Sequence, residues 1–421
     1  MITIIESLRK NPQVTDYKIE TVKKESCELF YVNGKLETVR STDTCDKEVT
    51  VYVDHDGCKG DSQFFVYPST TPDQLDALVA EAVNKALIIS NKPYELPAAE
   101  QAEYAVASNF SDYKPADLAA EVADAVFSAN TIENATLNSV EVFINKYTET
   151  VVNSRGLNKT QTRYDAMIEA IPTFNGETQS VEIYEQHNFS EFSKAAITAE
   201  IANKMAEVKA RYEAVTPDPK PQCKVVLNSF EMMSLFMRIA FSLNYSAVYS
   251  KSNLFSKGDK IQKNPEGDLI TITMAGEVKG NSRSSKFDAD GLSLGSIRIV
   301  ENGEVTNYFG SNRFGQYLGE TPSGDMHCIC VEPGSVDVIE GPYFEVLQTS
   351  GLQVDFYNDY IGGEVRLAYY HDGEKIIPVT GVAISGKLSQ VLDHIRFTSY
   401  TADRSGYTGP AKAILTDMNI F

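Results

Sequence analysis

The chain has 421 residues and a mass of 46.5 kDa, which suits two or three domains and excludes a single small module. It carries 38 Lys and Arg residues against 58 Asp and Glu residues, and a formal charge of −20 makes duplex DNA or an anionic membrane a poor partner. Hydrophobic residues make up 42% and charged residues 23%, which is typical of a chain that folds throughout.

Localisation is predicted from two further features of the sequence. No apolar run approaches the length that crosses a bilayer, and the opening MITIIESLRK is too short and too charged for a secretory signal. Six cysteines are scattered without a CxxC pair, which favours free thiols in a reducing compartment. We therefore expect a cytoplasmic protein.

The first part of the chain alternates strand and helix patterns. Asn33-Gly34 lies between two apolar-alternating runs, which is the strongest short signal for a β-hairpin. Thr71-Pro72-Asp73 supplies an N-cap, a proline and an acid for the start of a helix. The predicted elements are a helix over 3–10, a hairpin over 28–40, a strand over 49–54, and helices over 71–90 and 114–130.

A second group of strands follows, and Ser190 is predicted to cap a long amphipathic helix that reaches about 212. Three or four strands followed by a long helix thus occur twice. Both an ancient duplication and ordinary recurrence of α+β units explain this pattern. The strands of this group are predicted at 139–146, 148–153, 160–170 and 180–185.

The stretch 216–221 contains three prolines, which exclude a regular helix and indicate a stiff linker. We place the domain boundary there, between an N-terminal domain at 1–215 and a C-terminal domain at 222–421. The second domain contains one long helix, at 230–245, among short strands separated by glycine turns. The predicted class is α+β: an N-terminal α/β domain of mixed sheets with long helices, then a β-rich sandwich or barrel-like domain with one buried helix.

The helix at 230–245 is apolar on nearly every face, and Asn228 with Glu231 forms a capping pair at its start. A buried structural helix is the favoured interpretation. The alternative is that Arg238 and Ser242 line a peptide-binding cavity, since a buried Arg238 would be costly without a carboxylate partner.

Two other groups of residues are candidates for cation binding, proton transfer or metal coordination. Asp288 and Asp290 alternate before a glycine, which suits either cation binding and proton transfer or, as the favoured interpretation, acidic turn residues at the end of a strand. No nucleophile elbow, P-loop or GxGxxG occurs, which leaves serine hydrolysis and nucleotide binding without a motif. An unconventional metal site would have to draw its ligands from His327, Cys328, Cys330, His371 and His394.

Several short motifs, in order along the whole chain, resemble the TldD/PmbA family, also described as modulators of DNA gyrase. A strand at 51–53 followed by the helix at 71–90 completes the similarity. The motifs are NSRG at 153–156, FDADG at 287–291, IVENGEV at 299–305, EPGS at 332–335 and GVAISGKL at 381–388.

The resemblance implies an intracellular zinc protease system that cuts unstructured peptides. Its TldD-like members carry HExxxH on a helix of the second domain and a cysteine near the C-terminus, whereas its PmbA/TldE-like members lack these ligands and act as partner subunits. Here Met237, Arg238 and Ser242 stand at the motif positions, and none of these side chains replaces an imidazole or the general base. No cysteine follows Cys330, and YTADRSG at 400–406 stands where the family's metal-bearing members have one.

The resemblance therefore predicts a non-catalytic PmbA/TldE-like subunit that binds no metal or other cofactor, with zinc on its partner. The partner would be an HExxxH-bearing TldD-like subunit, or a second copy in a homodimer, and the substrate an unfolded peptide. The residues that would line a peptide cavity are Arg238, Ser242, Asp288 and Asp290. The alternatives are an autonomous metallopeptidase with unconventional ligands, or a regulator acting on DNA gyrase, although the charge argues against direct contact with nucleic acid.

Overall fold

The structure is a computed structural model that describes residues 2–421. Its N-terminal region, residues 2–215, contains one eight-stranded sheet and four helices. A short 3-10 helix at Asn109–Asp112 adds to these. The elements are α1 (Ile2–Lys10), β1 (Asp16–Val32), β2 (Lys35–His55), β3 (Cys58–Val66), α2 (Pro72–Ala86), β4 (Gln101–Ala105), α3 (Pro115–Ser128), β5 (Ala135–Asn153), β6 (Asn158–Asn175), β7 (Ser180–Glu182), β8 (Glu185–Phe189) and α4 (Lys194–Glu213).

The sheet is built on two long hairpins, β1–β2 and β5–β6, which lie side by side in the strand order β3-β2-β1-β5-β6-β4. Strands β7 and β8 also pair with β6, and β4 is the strand that runs parallel to its neighbour. The predicted turn is confirmed, because Asn33 and Gly34 adopt φ values of 49° and 74°, as a two-residue hairpin turn requires. The two strands predicted at 139–146 and 148–153 form a single strand, β5.

Helices cover one face of this sheet at two places. α2 packs over β2 and β3, while α3 and α4 pack over β1, β5 and β6. The predicted start of α2 is confirmed by a capping box between Thr71 and Gln74. The predicted cap of α4 is wrong: Ser193 caps the helix, and Ser190 instead uses its backbone N–H to reach Gly280 of the C-terminal region at 3.1 Å.

The C-terminal region, residues 222–421, is rich in short strands. The elements are β9 (Lys224–Asn228), α5 (Ser229–Ser242), α6 (Tyr245–Tyr249), β10 (Ile272–Ala275), β11 (Ser296–Glu301), β12 (Glu304–Val305), α7 (Asn312–Leu318), β13 (Cys328–Val331), β14 (Tyr343–Thr349), β15 (Gln353–Asp355), β16 (Tyr360–His371), β17 (Ile376–Val379), β18 (Val382–Lys387), α8 (Leu388–His394), β19 (Arg396–Phe397), β20 (Thr401–Arg404), β21 (Tyr407–Pro410), β22 (Lys412–Leu415) and β23 (Met418–Ile420).

Two sheets of this region enclose α5. A nine-stranded sheet contains β9, β14, β16, β18 and β22, and a six-stranded sheet contains β10, β11, β13, β20 and β21. Helix α5 contacts strands of both sheets, and its buried side chains belong to the largest hydrophobic core of the protein. The α+β class, with a β-rich second part built around one helix, is confirmed.

The two regions keep separate large cores and meet through polar contacts and one small apolar cluster, in which Val151 and Leu157 pack with Phe287. The largest core contains only residues of 225–420, whereas the two larger cores of the N-terminal region lie within 4–208. Among residues 2–421, no helix combines the length and the apolar character needed to cross a bilayer. The contacts between the regions involve the face of the N-terminal sheet opposite its helices, and this face carries the polar residues described next.

Candidate functional site

Helix α5 holds the positions at which the family resemblance places a metal motif. Asn228 caps it by accepting a hydrogen bond from the Glu231 backbone N–H at 3.1 Å. The Glu231 carboxylate does not return to the cap. It accepts hydrogen bonds from the backbone N–H and the hydroxyl of Thr349, at 3.0 and 2.8 Å. Phe230 and Phe241 are 54% and 48% exposed, so part of the helix surface remains uncovered.

The three motif positions of α5 are occupied by side chains that do not fit zinc. Met237 is half-buried against the core and offers only a thioether. Arg238 is exposed, which removes the expected cost of burying it, and its guanidinium is always protonated. Ser242 is buried and donates its hydroxyl to the Ile239 carbonyl at 2.8 Å. This helix therefore presents no set of imidazoles to a metal ion.

The first part of the alternative ligand set lies around β13. His327 is exposed, while Cys328 is buried with its Sγ 3.8 Å from the Ser284 hydroxyl. Burial raises the pKa of the Cys328 thiol to about 12, so the thiolate that zinc prefers is strongly disfavoured. Cys330 is partly buried, and burial raises its pKa as well.

The two remaining histidines already have carboxylate partners. His371 stacks on Tyr343 and places its Nε2 3.2 Å from a Glu345 oxygen. His394, at the end of α8, places its Nδ1 2.7 Å from an Asp417 oxygen. Within the described part of the chain, no group of three or more His, Cys, Asp or Glu side chains converges as metal ligands would. The alternative ligand set is thus spread over separate elements.

A cleft of about 670 Å³ lies between the two regions, and we call it the acidic cleft. β1, β5 and β6 contribute one wall, and the segments 282–290 and 325–327 of the C-terminal region contribute the other. Of the four residues named as possible cavity lining, Asp288 and Asp290 line this cleft, whereas Arg238 and Ser242 are not among its lining residues. Its charged lining consists of the carboxyl groups of Glu20, Glu149, Asp165, Asp288, Asp290 and Asp325 and the guanidinium groups of Arg163 and Arg283.

The Asp288 carboxylate connects two loops of the C-terminal region, its own and the one that contains Asp325, through hydrogen bonds. Its Oδ1 accepts hydrogen bonds from the backbone N–H groups of Asp290 and Leu292 at 3.0 and 2.9 Å, and its Oδ2 accepts one from Asp325 at 3.0 Å. Burial, and then the charge of Asp290, raise the pKa of Asp288 to about 6. With both oxygens occupied by backbone donors, this carboxylate is suited to a structural role.

Asp290 instead crosses to the N-terminal region. Its Oδ1 lies 3.3 Å from Lys18 Nζ, which also lies 2.7 Å from a Glu20 oxygen and donates to the Ala289 carbonyl at 3.0 Å. These neighbouring acids raise the pKa of Lys18 although its burial alone would lower it. The two aspartates of the FDADG motif thus have different partners.

A chain of hydrogen bonds along β5 and β6 forms the floor of the acidic cleft. Arg163 bonds to Glu149 through Nε at 2.9 Å and to Asp165 through Nη1 at 3.2 Å. Asn145 donates to Asp165 at 2.7 Å, and Gln161 donates to Glu149 at 2.7 Å. Our sequence analysis missed this network. The available signal was the alternation of polar and apolar residues along β6, but that pattern does not distinguish a cleft wall from a solvated sheet face.

A second polar site between the regions, which we call the Arg404 cluster, was also missed. Arg404 lies in the 400–406 segment, to which the family resemblance assigns the cysteine of metal-bearing members. It pairs with Glu185 at 3.0 Å and with Glu200, and its Nη1 lies 3.4 Å from His187 Nδ1. Lys204 extends the cluster with a contact to Glu185 at 3.5 Å.

The protonation states of the Arg404 cluster follow from its burial. Burial, and then the positive charge of Arg404, lower the pKa of His187 to about 4, so the ring is neutral at pH 7. Burial keeps the pKa of Glu207 above its ordinary value although Lys204 lies 2.9 Å away. The cluster borders a second cavity, of about 650 Å³, which the first turn of α5 also lines.

Comparison with known proteins identifies the C-terminal region. Residues 220–420 match the sequence model of the PmbA/TldA metallopeptidase C-terminal domain. No curated protein matches the chain significantly. The match agrees with the motifs read from the sequence, and the predicted family resemblance is confirmed.

Solved structures of similar proteins share the fold over the whole length of the chain. TldE from Thermococcus kodakarensis superposes with a TM-score of 0.82 at 13% identity, covering 100% of this chain and 99% of that one. A proposed modulator of DNA gyrase from Bacteroides thetaiotaomicron gives a TM-score of 0.79 at 14% identity, covering 99% and 97%. Another from Thermotoga maritima gives 0.75 at 14% identity, covering 99% and 98%. At these identities the likeness is one of fold alone.

Proposed function

We propose that this chain, whose C-terminal region belongs to the PmbA/TldA metallopeptidase family, is the non-catalytic PmbA/TldE-like subunit of a zinc metallopeptidase complex. The complex would degrade or trim unstructured peptides. The observation that carries the proposal is the identity of the side chains on α5, where Met237, Arg238 and Ser242 stand at the positions to which the family resemblance assigns the HExxxH motif. The family fold is thus combined with a helix that offers no imidazole, and no carboxylate at those three positions.

The chemistry in such a complex would come from an HExxxH-bearing subunit, and this chain would supply part of the wall around the peptide. The acidic cleft between the two regions is large enough for several side chains of an extended peptide. We also propose that 216–221 separates two domains, at 1–215 and 222–421, and that the complex assembles in the cytoplasm. A homodimer of this chain is a further arrangement that the same experiments would reveal.

Co-expression with an HExxxH-bearing relative from the same cell tests the proposal. We expect the two chains to co-purify, and we expect cleavage of an unfolded peptide to require both. Histidine-to-alanine changes in the relative's motif should abolish cleavage, whereas alanine at Met237, Arg238 and Ser242 of this chain should leave the chemical step intact. Stoichiometric zinc and chelator-sensitive cleavage in the purified chain alone would refute the proposal.

No specific observation supports either alternative function. An autonomous metallopeptidase would need ligands that converge, and His371 and His394 are instead paired with separate carboxylates. A regulator of DNA gyrase is suggested only by the descriptions of two proteins that share the fold. The charge of −20 makes direct binding to nucleic acid unfavourable.

A further inference from the structure

We propose that the acidic cleft binds a cationic group of an extended peptide, either the side chain of Arg or Lys or the terminal ammonium. The inference deepens the proposed function by naming a substrate class, and it rests on that function for the peptide nature of the ligand. It is carried by the charge of the lining, by an unpartnered amide oxygen in the cleft floor, and by the apolar walls beside it.

The charges of the lining do not balance. Six carboxyl groups line the cleft against two guanidinium groups, and Lys18, which pairs with Glu20 and Asp290, adds a third cation from the rim. Arg163 is shared between Glu149 and Asp165, so it neutralises only one of these two carboxylates. A cation that enters the cleft would gain from this excess, because charges interact more strongly between low-dielectric walls than in water.

Asn145 provides an independent indication of a missing donor. Its side chain lines the cleft, is only 8% exposed, and donates its amide to Asp165. Its Oδ1 has no hydrogen-bond partner. A buried acceptor without a partner is destabilising, so the cleft floor lacks a hydrogen-bond donor. Guanidinium and ammonium groups carry several donors and no acceptor, which suits an amide oxygen next to the Asp165 carboxylate.

The remaining surface of the cleft suits the methylene stem of such a side chain. Phe287, which is buried, and Phe143, which is partly buried, both lie among the cleft residues. Arginine and lysine bury their stems against apolar walls while the charged end reaches polar groups. The larger apolar side chains of the lining are Val22, Phe143, Val151, Met167, Phe287 and Leu294.

Binding by the purified chain alone tests the inference. The probes are acetylated glycine–serine peptides of about ten residues that carry three arginines, three glutamines or three glutamates and a dye at a C-terminal cysteine. By fluorescence anisotropy, we expect the arginine peptide to bind at least about tenfold more tightly than the glutamine peptide, and the preference to shrink between about 50 mM and about 300 mM NaCl. The same peptides with free amino termini distinguish a terminal ammonium from a side chain as the bound group.

Variants distinguish binding in the acidic cleft from attraction to the negative charge of the whole surface. Asp165→Asn should reduce the preference for arginine about fivefold or more, and Glu20→Gln, at the rim, should reduce it too. The matched control is Asp117→Asn, an exposed residue in the first turn of α3. Thermal unfolding of each variant checks folding, and Glu20→Gln keeps the test open if Asp165→Asn does not fold.

Three results would overturn the inference. The first is equal affinity for the arginine and glutamine peptides with no gain in affinity when their amino termini are left free. The second is an equal loss of preference in Asp165→Asn and Asp117→Asn, which would assign binding to the surface as a whole. The third is displacement of the arginine peptide by CaCl2 but not by NaCl of equal ionic strength, which would assign the site to a divalent cation. None of these results bears on co-purification with an HExxxH-bearing subunit, so the two proposals fail separately.

Discussion

The acidic cleft and the Arg404 cluster both lie between the two regions, but their carboxylates differ in the partners that they contact. In the Arg404 cluster, Arg404 and Lys204 are surrounded by Glu185, Glu200 and Glu207 at contact distances. Each of these three carboxylates contacts a cation. In the acidic cleft, the Asp288 carboxylate is held by backbone N–H groups instead of a cation, and Asn145 keeps an unpartnered oxygen. Carboxylates that each contact a cation hold two surfaces together, whereas carboxylates and acceptors without such partners remain available to a ligand.

The difference indicates which contacts of the chain stabilise the fold and which groups remain available to a ligand. Ion pairs that are buried and complete act as structural contacts, and breaking one is expensive because it leaves a buried charge alone. The acidic cleft combines a structural carboxylate, Asp288, with acids whose partners are shared or partial. Experiments that separate the two sites therefore test the whole account.

The largest effect is expected from Arg404→Leu. It would leave Glu185 and Glu200 without their shared cation, and we expect the free energy of unfolding to fall by about 3–5 kcal/mol. Urea denaturation measures the change. The control is Arg298→Leu, which breaks exposed ion pairs with Glu301 and Glu332 and should cost no more than about 1 kcal/mol. Equal losses in the two variants would contradict the distinction between buried and exposed pairs.

The two sites should also differ in the sign of their pH dependence. The depressed pKa of His187, about 4 against an ordinary 6.5, adds stability that is full above pH 6.5 and lost as the pH falls toward 4. The raised pKa of Asp288, about 6 against 3.8, adds stability that is full below pH 3.8 and lost as the pH rises through 6. Each contribution is at most about 3.5 kcal/mol.

Unfolding free energies of two variants across this pH range separate the contributions. His187→Gln should lose relative stability mainly on the alkaline side of the range, and Asp288→Asn mainly on the acid side, when each is compared with the parent at the same pH. If the stability difference from the parent changed with pH in the same direction for both variants, the assignment of opposite pKa shifts to His187 and Asp288 would be contradicted.

Within the acidic cleft, Asp288→Ala should destabilise more than Asp290→Ala. The first change removes the acceptor of three backbone N–H groups and is expected to cost about 2 kcal/mol. The second removes an ion pair with Lys18 that is partly exposed, and should cost no more than about 1 kcal/mol. Thermal and urea unfolding rank the two variants, and the reverse order would place the structural role on Asp290.

The smallest effect is expected on α5. Arg238→Ala removes an exposed side chain and should change the free energy of unfolding by no more than about 0.5 kcal/mol. A loss above about 2 kcal/mol, measured by urea denaturation, would show that Arg238 makes a structural contact.

Local signals in the sequence predicted much of the fold. Asn33-Gly34 and the Thr71 cap act through short-range geometry, so both were predictable from the residues themselves. The start of α4 was misplaced because Ser190 and Ser193 are equivalent as caps by sequence. The contact of Ser190 with Gly280, far along the chain, decides between them.

The candidate site was less predictable, for a physical reason. Asp288 and Asp290 stand in a recognisable motif, but their different partners, a set of local amides and a distant Lys18, depend on the folded contact between the regions. Asn145 and Arg404 carry no motif at all. Their roles arise from convergence of residues more than a hundred positions apart, which periodicity cannot report.

The central claim is that peptide cleavage takes place on an HExxxH-bearing subunit and not on this chain. The most direct measurement is zinc content and cleavage of an unfolded peptide by this chain, by an HExxxH-bearing relative, and by the two co-purified. We predict zinc and cleavage in the complex, both lost when the relative's histidines are changed, and neither in this chain alone. Stoichiometric zinc with chelator-sensitive cleavage by this chain alone would contradict the account.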